Sequence, residues 1–468
     1  MRATAARQGS LREHNLGLVL RHVLDAAATG APPPSRADVA GATGLTRATV
    51  SALVDRLVAG GLLAELPPVP TQRAGRPAVP LAAPAGTVAA LGAEVNVDYL
   101  GVRVLDLSRR VLVEHVEHGD FRGSAPAEVL ARLGALVDDA VAVLDGRAEP
   151  SVDASHGRDD HAPGHAATAT SPGDATAPRD VTPAGDVTAP GGTTRTTDAT
   201  PPAPGAPHAP LAASGTPPRL AGVALALPGL VDARGGALRY APNLGWRDVD
   251  VAGLARTSSA VLAAHPPRLA NEADLAARAE ATVRRTPGAR PSFVYVSGEI
   301  GVGGALVLDG EIFGGRHGWA GELGHTLVGD GRTLEQVAGQ DALLRAAGLD
   351  PRDGLDALVA AARADSPGVR DALAAAGGVL GAALANVVNL VDVGHVVLGG
   401  TYAALADHVR APVLDALRRH VIGAPWAEPT VDVACAGGHA AMTGAALTVL
   451  RTVVADPSAW LVDATDPA

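Results

Sequence analysis

The sequence predicts a two-part chain: a mostly α-helical, winged helix-turn-helix head followed by a larger α/β body of two similar halves. Three observations predict it. Two capped helical segments flank a Thr-Gly-Leu turn near the N-terminus, with a strand and a Pro/Gly-rich hairpin behind them. Two glycine-punctuated, strand-rich blocks then occur in separate halves, VAALGAEVNVDYLGVRVLDLSRRVLVEHVEH and SFVYVSGEIGVGGALVLDGEIFGG. At 468 residues the chain is too long for the head alone, so a large second domain must follow.

In the head, Ser35 is a good N-cap for a short helix, Arg36 to Ala42, with Val39 and Ala40 inward. Thr43-Gly44-Leu45 forms the turn, where Gly44 can take positive φ. Thr46 caps a second helix whose Val50, Leu53, Val54, Leu57 and Val58 make one apolar stripe. Gly60-Gly61 stops it, Leu62 to Leu66 follows as a strand, and PPVPTQRAGRPAVPL fits a hairpin wing. Such a second helix offers its first turn to a DNA major groove. Ser35, Thr46, Arg47, Thr49 and Ser51 are therefore candidate contacts to double-stranded DNA. At the wing tip, Arg73, Gly75 and Arg76 are further candidates, because Gly beside Arg lets a guanidinium enter a narrow minor groove. The alternative is a small helical domain that binds protein.

Charge divides the chain in the same place. The whole is acidic at −11, but its first 80 residues hold nine Arg against five acidic residues, or +4. A basic head on an acidic body suits DNA recognition. All 38 basic side chains are Arg, which reads as a coding bias alongside the Ala, Gly and Pro excess. The single Cys435 excludes an internal disulfide and any multi-cysteine metal site. The N-terminus has no apolar signal-type stretch, and Ala372 to Val391 reads as a buried helix, since it is Ala/Gly-rich and contains Asn386 and Asn389. A cytoplasmic protein without membrane contact is expected.

Residues 147–218 contain no Phe, Tyr, Trp, Ile or Met, and GDATAP at Gly173 recurs as GDVTAP at Gly185. Such a composition cannot bury enough apolar area to offset chain entropy, so a disordered insert is expected. The domain plan is a head at 1–82, body at 88–146 and 219–455, the insert between them, and a tail at 456–468. In the body, strands are expected at Val88–Val95, Tyr99–Asp106, Arg110–Val116 and His395–Leu398, with helices at Ala273–Arg284 and Pro367–Leu390. Two similar halves suggest a duplicated α/β domain with a ligand cleft between lobes.

The order LGAEVNVDYLGVRVLDL, ALPGLVDARGGALRYAPNLGW, NEADLAARAE, VSGEIGVGGALVLDGEIFGGRHGWAGELGH and NVVNLVDVGHVVLGG resembles the ROK family. The resemblance covers most of the chain outside the insert. It implies an actin-like ATPase (ribonuclease H-like) two-lobed fold, shared by sugar kinases and sugar-responsive repressors. The N-terminal head aligns the chain with the repressors. It implies a transcriptional regulator of carbohydrate genes, acting on an inverted-repeat operator as a homodimer, or as a tetramer, and controlled by a sugar or sugar derivative.

The runner-up reading is an active ATP-dependent sugar kinase with a fused DNA-binding domain, and the quoted motifs weigh against it. The family's kinases carry a phosphate-binding Asp-x-Gly-x-Thr; here Glu94, Asn96, Val97 and Asp98 stand in that stretch. Glu299 replaces a Gly of the second phosphate loop, adding negative charge beside a polyanion. The catalytic Asn-Asp pair is Asn271-Glu272, which moves the carboxylate one methylene outward. No catalytic residue and no cofactor are therefore expected. The resemblance assigns Gly229, Asn243, Asn271, Glu272, Glu322, His325 and Glu335 to a sugar site, a mix of donors and acceptors suited to hydroxyls. The alternative is that these residues only cap and brace loops. The family's His often joins three Cys at a zinc; GHTLVGDGRTLEQVAG holds none, so no metal is expected.

Overall fold

Good caps and one apolar stripe per helix build the N-terminal part. In the computed structural model, which describes residues 2–68, 78–147, 217–286, 289–329 and 331–461 with side chains from residue 11, three helices come first. They are α1 (Arg2–Ala28), α2 (Arg36–Thr43) and α3 (Arg47–Ala59). Ser35 and Asp38 form a reciprocal capping box on α2, and Gly44 ends it at φ 72°. Thr46 caps α3 by accepting the Thr49 N–H, and Val50, Leu53, Val54 and Leu57 are buried along one side. The expected five-residue strand is shorter: β1 (Ala64–Glu65) pairs antiparallel with β2 (Leu81–Ala82). The wing tip with Arg73, Gly75 and Arg76 lies outside the described residues, as does 148–216 of the expected insert.

The sequence reading overlooked α1. It buries Leu16, Val19, Leu20, Val23 and Leu24, a helical spacing, against both the other two helices and the body. The expected tail also packs as far as Leu461, whose side chain covers Gly60, while Arg219 stacks on the Trp460 ring and donates to its carbonyl.

The body repeats one sheet plan twice. In the first sheet, β3 (Val88–Val95), β4 (Tyr99–Asp106) and β5 (Val111–His118) form an antiparallel meander, and β6 (Arg219–Leu227) joins β3 in parallel. The third strand starts and ends later than expected because Arg109 makes the turn at φ 69°. A three-stranded flap follows, β7 (Leu230–Asp232), β8 (Ala237–Ala241) and β9 (Trp246–Val249), and β10 (Arg268–Asn271) then pairs in parallel with β6. The order is β10-β6-β3-β4-β5. In the second sheet, β11 (Phe293–Gly298), β12 (Val302–Leu308) and β13 (Glu311–Ile312) form the meander. Next to it, β14 (His395–Gly399) and β15 (Thr430–Val433) add in parallel, giving β13-β12-β11-β14-β15.

Helices cover these sheets. On the first lie α4 (Pro126–Leu144), α5 (Val251–Ser258) and α6 (Ala260–Ala264). Next, α7 (Glu272–Val283) follows β10 directly. The second sheet is covered by α8 (Leu334–Ala338), α9 (Gln340–Ala346), α10 (Gly354–Arg363), α11 (Pro367–Val391), α12 (Gly400–Ala404) and α13 (Ala406–His420). Finally α14 (Ala440–Ala455) returns to the first sheet. Of these, α11 is long and apolar enough to cross a membrane, yet it buries Leu373, Leu380, Leu384 and Val388 in the core against α13.

Between the sheets, α7 and α14 cross closely. A Cβ at Gly444 would overlap the Leu275 carbonyl, and one at Gly92 the Met442 carbonyl. Glu280 of α7, fully buried, accepts hydrogen bonds from the Cys435 and Ala436 backbone N–H groups and from Arg284 Nε at 2.5 Å. A buried carboxylate is tolerable because every lobe of its charge is met by a donor.

Candidate functional site

The carboxyl ends of β3, β6 and β10 face the β11–β12 turn across a cleft, the place where open α/β sheets bind ligands. All seven residues predicted for the sugar site line it: Gly229, Asn243, Asn271, Glu272, Glu322, His325 and Glu335. The free space between the walls is about 60 Å³.

Local structure explains each placement. Asn271 caps α7: its Oδ1 accepts from Ala273 N at 2.8 Å, and its Nδ2 donates to the Gly229 carbonyl at 3.0 Å. Both ends of its amide are thus engaged, and its effect is to hold Glu272 at the mouth of the helix. Gly229 takes φ 82°, and a Cβ there would strike the Tyr240 carbonyl. Glu335 sits in the first turn of α8, and its Oε2 accepts the Val302 N–H at 3.0 Å. A Cβ at Gly301 would collide with that same carboxylate and lie 3.0 Å from Asn243 Nδ2, so only glycine lets the two side chains converge. Glu322 enters a single 3-10 turn, Leu323–His325, which carries His325 to the exposed rim.

One end of the cleft, around Asn96 and Glu299, is crowded with acid. Asn96 Nδ2 donates to Glu299 Oε2 at 2.5 Å and to Glu94 Oε1 at 3.3 Å. Glu94 Oε2 has no hydrogen-bond partner among the described residues. Burial, then mutual repulsion, raises the pKa of Glu272 well above the carboxylate range, with Glu299 and Glu94 as its nearest like charges. Glu299 is raised for the same two reasons, burial first and Glu94 second, against the hydrogen bond from Asn96. Glu322 is also raised by burial, with His325 opposing. The carboxyls therefore share protons rather than all ionising together. Asn96, Ser297 and Glu299 also line the cleft, outside the predicted sugar-site set; the signals were the end of β3 at EVNVD for Asn96 and the strand-turn SGEIG for the other two. Among the described residues, no three His, Cys, Asp or Glu side chains are grouped to hold a metal.

In the N-terminal part, Thr46 and Arg47 are exposed and Thr49 is half-buried at the start of α3. Among the described residues, the Arg47 side chain makes no hydrogen bond or ion pair. Ser35 and Ser51 differ from expectation. Ser35 is only 8% exposed, and its hydroxyl donates to Asp38 Oδ2 at 2.7 Å, so its side chain serves the cap. Ser51 Oγ and its carbonyl both accept from Arg36 Nη1, at 3.2 and 3.0 Å.

Two lobes repeating one sheet plan around a polar cleft, with a three-helix extension at the N-terminus, define a duplicated α/β fold. The chain belongs to the ROK family, whose profile matches residues 212–452. It is 30% identical over 138 residues to the xylose repressor of Caldicellulosiruptor bescii, covering 28% of this chain and 33% of that protein. It is 31% identical over 138 residues to a glucokinase of Halalkalibacterium halodurans, covering 27% of this chain and 40% of that enzyme. The chain thus matches about a third of the length of these curated relatives. Its fold matches that of a ROK family transcriptional regulator described as a homologue of the E. coli MLC protein. There the TM-score is 0.63 at 20% identity, over 95% of this chain and 97% of the other.

Proposed function

We propose that this protein is a DNA-binding transcriptional regulator, a repressor of carbohydrate genes, in which the cleft binds a sugar or sugar derivative without phosphorylating it. The N-terminal elements act as a winged helix-turn-helix, and a homodimer presents two of them to an inverted-repeat operator. The observation that carries the sugar reading is the convergence of Asn243, Glu272, Glu322, His325 and Glu335 on one cleft from four separate segments. The same cleft argues against phosphoryl transfer. Glu94, Glu272 and Glu299 surround the end where a polyphosphate would need donors and cations. The repressor reading also agrees with the names of relatives such as the xylose repressor, while the glucokinase relative keeps ATP turnover a necessary control.

The test is a thermal-shift panel of monosaccharides on the full-length protein, with ADP release measured in parallel. One sugar should raise Tm by mass action, and Glu322→Ala or His325→Ala should remove the shift. Each lost charge-assisted hydrogen bond should weaken binding by roughly 1.5–3 kcal/mol. ATP with magnesium should yield no sugar phosphate. Sugar-dependent ADP release would overturn the non-enzymatic reading, and a shift surviving both substitutions would move the ligand elsewhere.

A further inference from the structure

Six arginines ring a cavity of about 270 Å³ where α1 meets the body: Arg21, Arg109, Arg278, Arg285, Arg290 and Arg451. Only two acids, Asp25 and Glu311, line it, so the cavity wall carries four positive charges in excess within a chain of net charge −11. The two acids are already committed. Asp25 Oδ1 accepts from Arg285 Nη1 at 2.8 Å. Both Glu311 oxygens accept from Arg451 Nη2 at 2.7 Å, which leaves Arg278 a contact of only 3.8 Å with the same carboxylate. Among the described residues, the guanidinium groups of Arg21, Arg109 and Arg290 have no hydrogen-bond or ion-pair partner.

We propose that this joint is an oxyanion site for a small phosphorylated metabolite, clamped between Arg21 of α1 and Arg109, Arg278 and Arg285 of the body. Guanidinium forks match phosphate oxygens in number and geometry. Unpaired charge is costly when withdrawn from water, and the Arg278 side chain keeps only 18% of its exposure. Burial lowers the pKa of both Arg109 and Arg278, the direction that an added anion would reverse. Arg109 also sits at φ 69° in the β4–β5 turn, a conformation that glycine adopts more readily, yet the position carries a guanidinium aimed at the cavity. A second space of about 310 Å³ shares Leu24, Leu107, Arg109, Thr282 and Leu447 with the first and is mostly apolar. It gives room for the less polar remainder of such a ligand, with the phosphate at the arginine end.

The position gives the site a consequence. Helix α7 has Glu272 in the cleft at one end and Arg278, Ala281 and Thr282 on the arginine cavity at the other. Twelve residues at ~1.5 Å each make it one rigid rod of about 18 Å. An anion there would tie α1 to the far end of the helix that the sugar cleft holds. This regulatory step rests on the proposed DNA-binding role; the binding itself does not.

The experiment uses full-length protein at low salt and measures thermal shift and calorimetric titration with inorganic phosphate, a hexose 6-phosphate, AMP and a short random duplex DNA. One of the two phosphorylated metabolites should raise Tm and bind at least roughly tenfold more tightly than inorganic phosphate. Arg109→Gly, which suits the backbone, and Arg21→Glu, on the exposed face of α1, should each weaken it about tenfold or more. His325→Ala should leave it unchanged, while removing any monosaccharide shift, so failure at the joint and failure at the cleft read separately. The proposal is overturned if neither metabolite shifts Tm, or if the shift survives both arginine variants. It is also overturned if inorganic phosphate binds as well as either metabolite, or if only duplex DNA binds.

Discussion

At the turn between β11 and β12, Glu299 sets the charge of the cleft. Its carboxyl is held by Asn96 and crowded by Glu94 and burial, so its folded pKa lies above the ordinary 4.5. The unfolded chain releases this proton first as pH rises. Between the ordinary carboxylate value and the raised folded value, the folded state therefore holds more protons, and stability falls with increasing pH. Above the folded value the loss is complete and the curve flattens. Glu299→Gln keeps the shape and removes the titration. It should raise Tm at pH 8 by roughly 2–4 °C per kcal/mol relieved and leave Tm at pH 4 nearly unchanged. Equal shifts at both pH values, read by scanning calorimetry, would show that Glu299 is not under charge repulsion. Glu272 bears on activity rather than stability. Under the proposed function it is not a general base, which agrees with a carboxyl whose pKa burial, Glu299 and Glu94 raise.

Helix α7 is the element that joins everything else. It begins at the cleft, buries Glu280 at mid-length, and is crossed by α14 at Gly444. Gly444→Ala places a methyl against the Leu275 carbonyl, and backbone cannot rotate away as a side chain can. The expected loss is about 1–3 kcal/mol or more, measured as a lower urea midpoint. An unchanged midpoint would mean that the α7–α14 crossing is looser than its geometry. Much at this scale was legible in the sequence. The capped helices of the N-terminal part and the Tyr99–Asp106 strand lie where caps, turns and periodicity placed them. The β1 strand was overestimated, because pairing with two-residue β2 limits its length. The long α1 was missed although Leu16, Val19, Leu20, Val23 and Leu24 have helical spacing, since attention to caps favours short helices with clear starts. The seven cleft residues were readable only through family resemblance. Residues from five segments converge by topology, which no local pattern encodes. Ser35 caps α2 as its place in the sequence suggests, its hydroxyl donating to Asp38 Oδ2.

For the whole molecule, the two sheets supply the cleft and α1 supplies the connection. Gly17 of α1 lies so close to the α14 end that a Cβ there would sit 2.9 Å from the Val454 carbonyl. Thr87 Oγ1 donates to the Gly61 carbonyl at 2.7 Å, a second strap between the N-terminal elements and the body. Trp319 Nε1 donates to the Val231 carbonyl at 3.0 Å, a hydrogen bond that ties the Gly-rich loop to the flap. A ligand can bias such a system only through its differential affinity for two arrangements of the lobes. The central claim is that one chain couples a sugar cleft to sequence-specific DNA binding. The most direct measurement is selection of bound duplexes from a random pool, followed by anisotropy of the winning duplex against a monosaccharide titration. The selected duplex should be an inverted repeat with half-sites about one helical turn or a multiple apart, and its affinity should change at least roughly fivefold with one sugar. Recovery of no preferred sequence, or an affinity indifferent to every sugar tested, would contradict it.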